Sequence, residues 1–387
     1  MDAQERTARI GIVGSGFRAR TMLRVLHALP DRFEVAGVAT RNAADRAELA
    51  ARGLSAAGLP GLPAPAYATV PELLAGGRPD LMLLTLPAGA AQPVIHDLAA
   101  AGVPVLTETP AAGTVEELAA LQRLVDDGAC VHVAEQYHLE PLVGAQLTVA
   151  ASGALGAVTD AHVAVAHDYH GISVLRRALG VTFEDAEITA RRDARRVLPS
   201  PSRADDPGDL SLVDTVHATA WLDFGDRLGT YEFDDVQYRS WVRTPALLVR
   251  GERGELRDDV VRRVGPDGLP RRSTLERVAA GGAGSHEGLF LRGYTLDGEW
   301  LYRNAFRPVR LPDDELSIAR VVADMADHVL HGAPSPYSVA EAAQDQYLQL
   351  EVRHAAASGE RVRTRPQAWA DGASCRHTAA TPEAAPE

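Results

Sequence analysis

For about 140 residues the chain alternates short apolar runs with amphipathic stretches. "RIGIV" reads as a strand. "FRARTMLRVLHALP" reads as a helix with Met22, Val25, Leu26 and Leu29 on one face, ending at Pro30. "FEVAGVAT" is a second strand, "RNAADRAELAARG" a helix closed by Gly53, and "DLMLLTLP" a strand apolar enough for burial on both faces. The pattern continues with the helix "AAQPVIHDLAAAG", the strand "VPVLTE", the helix "TVEELAALQRLVDDG" and the strand "ACVHVAEQY". Thr114 and Glu117 stand at capping-box spacing at the start of that last helix. This alternation predicts a parallel sheet flanked by helices. The helix "PLVGAQLTVAASGALG" then leads out of the unit.

From about Ala157 the texture changes to longer strands separated by tight glycine turns, among them "AVTDAHVAVAH", "VHATAWLDF" and "LGTYEFDDVQYRSWV". That texture predicts a large, open, mainly antiparallel sheet. "LPSPSRADDPGDLS" reads as a loop and "VGPDGLPRRSTLERVAAGGAGSHEG" as irregular and mobile. Two helices follow, "LSIARVVADMADHVLHG" and "VAEAAQDQYLQLEVRHAAASG", and then a polar tail rich in Ala and Pro.

Composition narrows the function classes. A formal net charge of −13 over 387 residues argues against nucleic acid as the main partner. No apolar run is long enough to span a membrane, and the first residues, "MDAQERTAR", lack a signal-peptide core. The only cysteines, Cys130 and Cys375, are far apart, which points to a reducing cytoplasm rather than a disulfide framework. All 39 basic residues are Arg. Without lysine there is no Schiff base and no lysine proton donor, since Arg keeps its proton.

Between the first strand and its helix stands "GSGFRA", a G-x-G-x-x-A pattern formed by Gly14, Gly16 and Ala19, with Phe17 and Arg18 between. Gly14 permits a tight turn, Gly16 lets a pyrophosphate approach the backbone, and Ala19 allows close helix packing. The expected fold class is therefore α/β, with a doubly wound Rossmann-type domain over residues 1–139. A C-terminal α+β domain over 140–365 carries the open sheet, and 366–387 form a disordered tail. The second strand ends in Thr40-Arg41-Asn42 where NAD-preferring sites carry an acid, so NADP(H) is expected over NAD(H). Leu86 and Pro87, at the end of the strand "DLMLLTLP", complete the expected cofactor-binding set with the tip Glu108-Thr109-Pro110.

On these features the chain resembles the Gfo/Idh/MocA oxidoreductases, relatives of glucose–fructose oxidoreductase and inositol dehydrogenase. The resemblance runs from about Arg9 to about Arg363 through "GIVGSGFRA", "LTLPAGAAQPVIHDLAAAGVPVLTETPAA", "LTVAASGALGAV", "HGISVLRRALG" and "LLVRGERGELRDD". It implies that Pro110 borders a nicotinamide and that a lysine between Glu108 and Pro110 handles protons. This chain has Thr109 there. A second family landmark, a His before a helix of the form H-x-x-x-x-L-R-x-x-x-G, falls on His170, but its usual Asp four residues earlier is Ala166.

Proton chemistry is therefore expected in "AHDYHG". His170 is the leading acid/base, Tyr169 the second if its surroundings depress its pKa, and Asp168 an orienting carboxylate if it reaches a histidine. His167 joins the substrate candidates, with Tyr137 and His138, which lie where the resemblance implies substrate contact, and Asp214 and His217 at the start of a sheet strand. No metal is expected: His162, His167 and His170 match no familiar zinc spacing and have no Cys partner. Hydride transfer on a secondary alcohol or carbonyl of a sugar-, cyclitol- or polyol-like substrate is the leading expectation. The alternatives are a redox-neutral lyase or glycoside-cleaving enzyme with bound NAD(P), and a non-catalytic cofactor-binding protein. An open sheet with an apolar face predicts a homodimer or homotetramer.

Overall fold

The computed structural model describes residues 6–51, 53, 63–203, 205–281 and 288–373. The first domain runs β1 (Ala8–Val13), α1 (Phe17–Ala28), β2 (Phe33–Ala39), α2 (Ala43–Ala51), β3 (Ala66–Tyr67), α3 (Val70–Gly77), β4 (Leu81–Leu84), α4 (Ala88–Ala100), β5 (Val105–Thr107), α5 (Val115–Asp126) and β6 (Val131–Val133). Its six strands form a parallel sheet in the order β3-β2-β1-β4-β5-β6. All four residues of β4 are buried, as an apolar strand covered by helices on both faces must be. At α5 the capping box forms: the Thr114 hydroxyl accepts from the Glu117 amide and the Glu117 carboxylate accepts from the Thr114 amide, both at 3.2 Å. The strand order reverses between β1 and β4, and their C-terminal ends open the crevice where ligands bind in such sheets.

The second domain runs α6 (Pro141–Ala151), β7 (Val158–Ala164), α7 (Asp168–Leu179), β8 (Glu187–Val197), β9 (Val213–Asp223), β10 (Leu228–Asp234), β11 (Ala246–Gly251), β12 (Gly254–Arg257), β13 (Val260–Val264), β14 (Pro270–Thr274), β15 (Glu276–Ala280), β16 (Phe290–Leu296) and β17 (Glu299–Arg303). It is completed by α8 (Asp313–His331), α9 (Val339–Ser358), β18 (Val362–Arg363) and α10 (Ala368–Ala373). A nine-stranded sheet has the order β14-β13-β12-β11-β7-β10-β9-β8-β18, antiparallel except between β7 and β10. A separate antiparallel sheet joins β15, β16 and β17.

Helices α7 and α9 cover the inner face of the large sheet. Gly171 brings α7 down tightly: a Cβ there meets the Ala166 carbonyl and the Tyr231 ring, each at 2.5 Å. At the other end α8 packs on α1, while α9 and α10 pack on α5 of the first domain.

Three expectations change. The segment read as irregular contains β14 and β15. Only Ser273 is buried in β14, so an exposed edge strand carries no apolar alternation to read. Residues 282–287 of that segment lie outside the described residues. The ordered chain also continues beyond 365, since α10 buries Trp369 completely and its Nε1 donates to Gln344 at 3.0 Å; the rest of the expected tail, 374–387, lies outside the described residues. Lastly, the apolar face of the large sheet is the one under α7 and α9. The outer face carries His162, Glu232, His217, Arg191 and Arg195, with Trp221 and Leu228 exposed among them.

Candidate active site

The first wall of the crevice is built by the β1–α1 turn. Gly14 has φ +114°, and a Cβ there meets the Thr85 hydroxyl at 2.5 Å, so only glycine fits. Gly16 caps α1 with no side-chain hydrogen bond, and a Cβ built on it meets nothing within 4 Å. Ala19 is fully buried. The helix end thus points side-chain-free amides into open space, which is what a pyrophosphate needs. Leu86 lies beside the turn, and Pro87 begins α4. These features fit a dinucleotide.

Around the end of β2, Ser15 bonds to the Thr40 hydroxyl at 2.9 Å and donates to Asp45 at 2.5 Å. Arg46 donates to the Thr40 carbonyl, and Arg41 is exposed. Phe17 stays 46% exposed, with the Arg203 guanidinium 4.2 Å from its ring centre. Arg18 reaches across the crevice, donating through Nε to Glu108 at 2.5 Å and through its terminal nitrogen to Gln136. Glu108 therefore joins α1 to the strand tips as an ion pair, and the Thr109–Pro110 bond beside it is cis.

The second wall is the start of α7. His170 is buried, and its Nδ1 lies 2.5 Å from Glu135, a completely enclosed carboxylate just beyond β6. Burial pushes the Glu135 carboxyl up. The His170 ring, its hydrogen bond and the Tyr137 amide outweigh this and hold it below the usual glutamate value. An ionised carboxylate can only accept, so His170 Nδ1 carries the proton and Nε2 is the nitrogen left to exchange one. Aromatic rings enclose the imidazole: Tyr169 at 4.4 Å, Tyr137 at 4.5 Å and His167 at 5.0 Å between centres. Tyr137 donates to the Tyr238 hydroxyl at 2.9 Å, and that hydroxyl also lies 2.5 Å from His167 Nδ1. Burial, then the neighbouring His170, lowers the His167 pKa to about 4, so this ring is neutral at pH 7.

Several sequence-picked residues take other places. Asp168 turns away from both histidines, with φ +50°, and accepts from Gln349 at 2.7 Å and Arg353 at 2.8 Å. Glu135 does the orienting expected of Asp168. Tyr169 hydrogen-bonds Thr109, yet burial raises its pKa, the reverse of the depression that proton donation by a phenol calls for. His138 packs against Tyr337, and burial with Arg177 and Arg320 nearby drives its pKa well below normal. Asp214 is exposed at 3.8 Å from Arg196, and His217 faces Glu232 at 3.5 Å on the outer sheet face. Sequence reading missed Glu135 and Gln136. Glu135 had a signal, being an acid just past the C-terminal end of a parallel strand.

A cavity of about 350 Å³ is lined by His167, Asp168, Tyr238, Arg192, Gln349 and Arg353.

Residues 8–136 match the oxidoreductase family with the NAD-binding Rossmann fold. The rhizopine catabolism protein MocA of Rhizobium meliloti is 31% identical over 109 residues, a match spanning 28% of this chain and 31% of that protein. An oxidoreductase from Agrobacterium radiobacter, solved with NAD+, L-tartaric acid and magnesium, superposes with a TM-score of 0.64. Its identity is 17%, covering 92% of this chain and 98% of that one. The WlbA dehydrogenase of Bordetella pertussis, solved with NADH and UDP-GlcNAcA, gives 0.60 at 17% identity over 93% and 99% of the two chains. At such identities these likenesses establish the two-domain fold. No helix among the described residues is long and apolar enough to cross a membrane.

Proposed function

We infer, from the match of residues 8–136 to the Gfo/Idh/MocA family of NAD-binding Rossmann oxidoreductases, that the chain is a nicotinamide-dependent oxidoreductase acting on a secondary alcohol or carbonyl of a sugar-, cyclitol- or polyol-like substrate. The observation that carries this reading is the buried Glu135–His170 pair, next in sequence to Gln136, which Arg18 at the start of α1 bonds. When bound, the nicotinamide gives or takes a hydride; the oxygen of the reacting carbon then gains or loses a proton. His170 Nε2 handles that proton. Glu135 fixes the tautomer and steadies the imidazolium when it forms. Tyr169, kept protonated and bonded to Thr109, donates a hydrogen bond to the substrate oxygen, and Tyr137, Tyr238 and His167 keep water from the ring.

Gly14, Gly16 and Ala19 hold the pyrophosphate, Leu86 and Pro87 line the dinucleotide, and Pro110 borders its reactive ring. Gly16→Ala is the direct test of the first of these roles. Its φ is ordinary and its Cβ meets no protein atom, so the variant keeps the wild-type melting temperature. Its affinity for the reduced cofactor, followed by nucleotide fluorescence, falls about tenfold or more, since the methyl enters space the pyrophosphate needs. Unchanged affinity excludes the turn as the phosphate site.

NADP(H) is the preferred form in this reading. Arg41 and Arg46 flank Thr40, and their charge favours a 2′-phosphate over a ribose hydroxyl; Asp45, held by Ser15, is the acid that opposes it. Arg41→Ala is expected to weaken NADPH by about tenfold or more while leaving NADH within twofold. Equal losses for the two nucleotides, or tighter NADH than NADPH in the wild type, overturn the preference. We also read the chain as a homodimer or homotetramer paired through the outer sheet face, where Trp221 is 45% exposed.

A further inference from the structure

Away from the crevice, three metal-type side chains converge where the first sheet meets the C-terminal helices. Cys130 precedes β6, His132 is its middle residue, and His328 lies in the last turn of α8. The Cys130 sulfur and one nitrogen from each ring lie within 4.8 Å of one another. Among the described residues no other group of three His, Cys or carboxylate side chains comes together in this way.

The rings are held as metal ligands are held. His328 Nδ1 lies 2.7 Å from the Ala333 carbonyl, which can only accept, so Nδ1 carries the proton and the Nε2 lone pair is left for a ligand. His132 Nδ1 lies 2.9 Å from the Ser335 hydroxyl. Ala333 and Ser335 belong to one short connection, between α8 and α9, so both imidazoles take their orientation from the same loop. Such outer hydrogen bonds fix the tautomer and direction of ligating histidines. The two rings meet edge to face, with centres 4.7 Å apart at 79°. His132 is buried. Cys130 and His328 are half-buried, so an ion has a route in from solvent.

We propose that Cys130, His132 and His328 form a binding site for one thiophilic divalent cation of the zinc class, with a fourth position left to water. One sulfur and two imidazole nitrogens select zinc over magnesium or calcium, which require oxygen ligands. Binding releases one proton, from the Cys130 thiol as its sulfur–metal bond forms. Each imidazole binds through a ring-nitrogen lone pair, and nothing is oxidised or reduced. The ion clamps β6 to α8, and β6 leads within two residues to Glu135, so occupancy braces the strand just before the acidic partner of His170. The site is separate from the nucleotide crevice and stands whether or not a nucleotide binds there.

The test uses the full-length protein, stripped with chelator, and Co(II) as the probe. One equivalent is expected to produce a near-ultraviolet thiolate-to-cobalt charge-transfer band and visible bands of four-coordinate strength. One equivalent of Zn(II) then abolishes both and raises the melting temperature. Cys130→Ser loses the charge-transfer band, while Cys375→Ser keeps it. His328→Gln, confirmed as folded by circular dichroism, weakens binding about tenfold or more and serves if Cys130→Ser does not fold. The absence of a thiolate band in the wild type overturns the site. So does a band that survives in Cys130→Ser, or zinc stabilisation equal in wild type and His328→Gln.

Discussion

His170→Gln is expected to lower kcat by about 10²–10⁴-fold, the usual worth of a positioned acid/base, while affinity for the nicotinamide cofactor stays within twofold. The reasoning starts from burial. Glu135 is enclosed and ionised, and the side chain that hydrogen-bonds it is His170. A buried carboxylate aimed at Nδ1 has little structural purpose unless the ring's other nitrogen changes its protonation in use. The amide of Gln keeps the side chain near its place and can still bond Glu135, but cannot exchange a proton at pH 7. Glu135→Gln is expected to lower kcat in the same sense, because the imidazolium then forms beside a neutral amide. The check is steady-state kinetics on the alcohol or carbonyl compound that the wild-type protein turns over, with cofactor affinity measured separately. Full kcat in His170→Gln transfers the proton role to another group.

The largest effect on stability is expected from Arg176→Met. Arg176 and Asp345 form an ion pair at 2.5 Å with side-chain exposures of 5% and 4%. The same guanidinium donates twice to the Thr182 carbonyl, just past the end of α7. Asp345 also accepts from the Tyr337 hydroxyl at 2.5 Å, and that oxygen lies 2.9 Å from Ser173 on α7. Removing the cation leaves the carboxylate uncompensated, at a cost of about 3–5 kcal/mol. The pH dependence gives this a sign. Burial already raises the Asp345 pKa from 3.8 to about 6 against the pull of Arg176. Because the folded value lies above the unfolded one, ionising this group costs stability as pH rises from about 4 through 6. Without Arg176 the folded value rises further. The gap between variant and wild type, read from urea unfolding, is therefore widest near pH 8 and narrows toward pH 5. A gap that grows on acidification contradicts the arrangement.

The first domain was largely legible, because buried parallel strands and amphipathic helices impose different periods and the glycine pattern marks their junction. The landmark at His170 was legible too, and the structure supplies reasons for it. Gly171 lets α7 lie on Tyr231, and Arg176 ties the helix to α9. What the sequence hid was direction. Asp168 and His170 are neighbours, yet a left-handed backbone at Asp168 sends its carboxylate to Gln349 and Arg353. The carboxylate that reaches His170 comes from Glu135, thirty-five residues earlier, just beyond β6 of the first domain. Tyr238 arrives from seventy-one residues beyond His167, in a turn with no periodic signature. The edge strand β14 was missed for a different reason: with only Ser273 buried, "PRRST" shows no apolar alternation. Long-range pairings and exposed edges leave little trace in local pattern, and the half of the site beyond the glycine loop is made of them.

The most direct test of the central claim is the structure of this chain with NADP+ bound. The account predicts the pyrophosphate over the amides at Gly16 and the nicotinamide against Pro110, its C4 facing the Glu135–His170 pair across room for one substrate carbon. A nucleotide seated elsewhere, or a nicotinamide whose C4 faces away from His170, contradicts it.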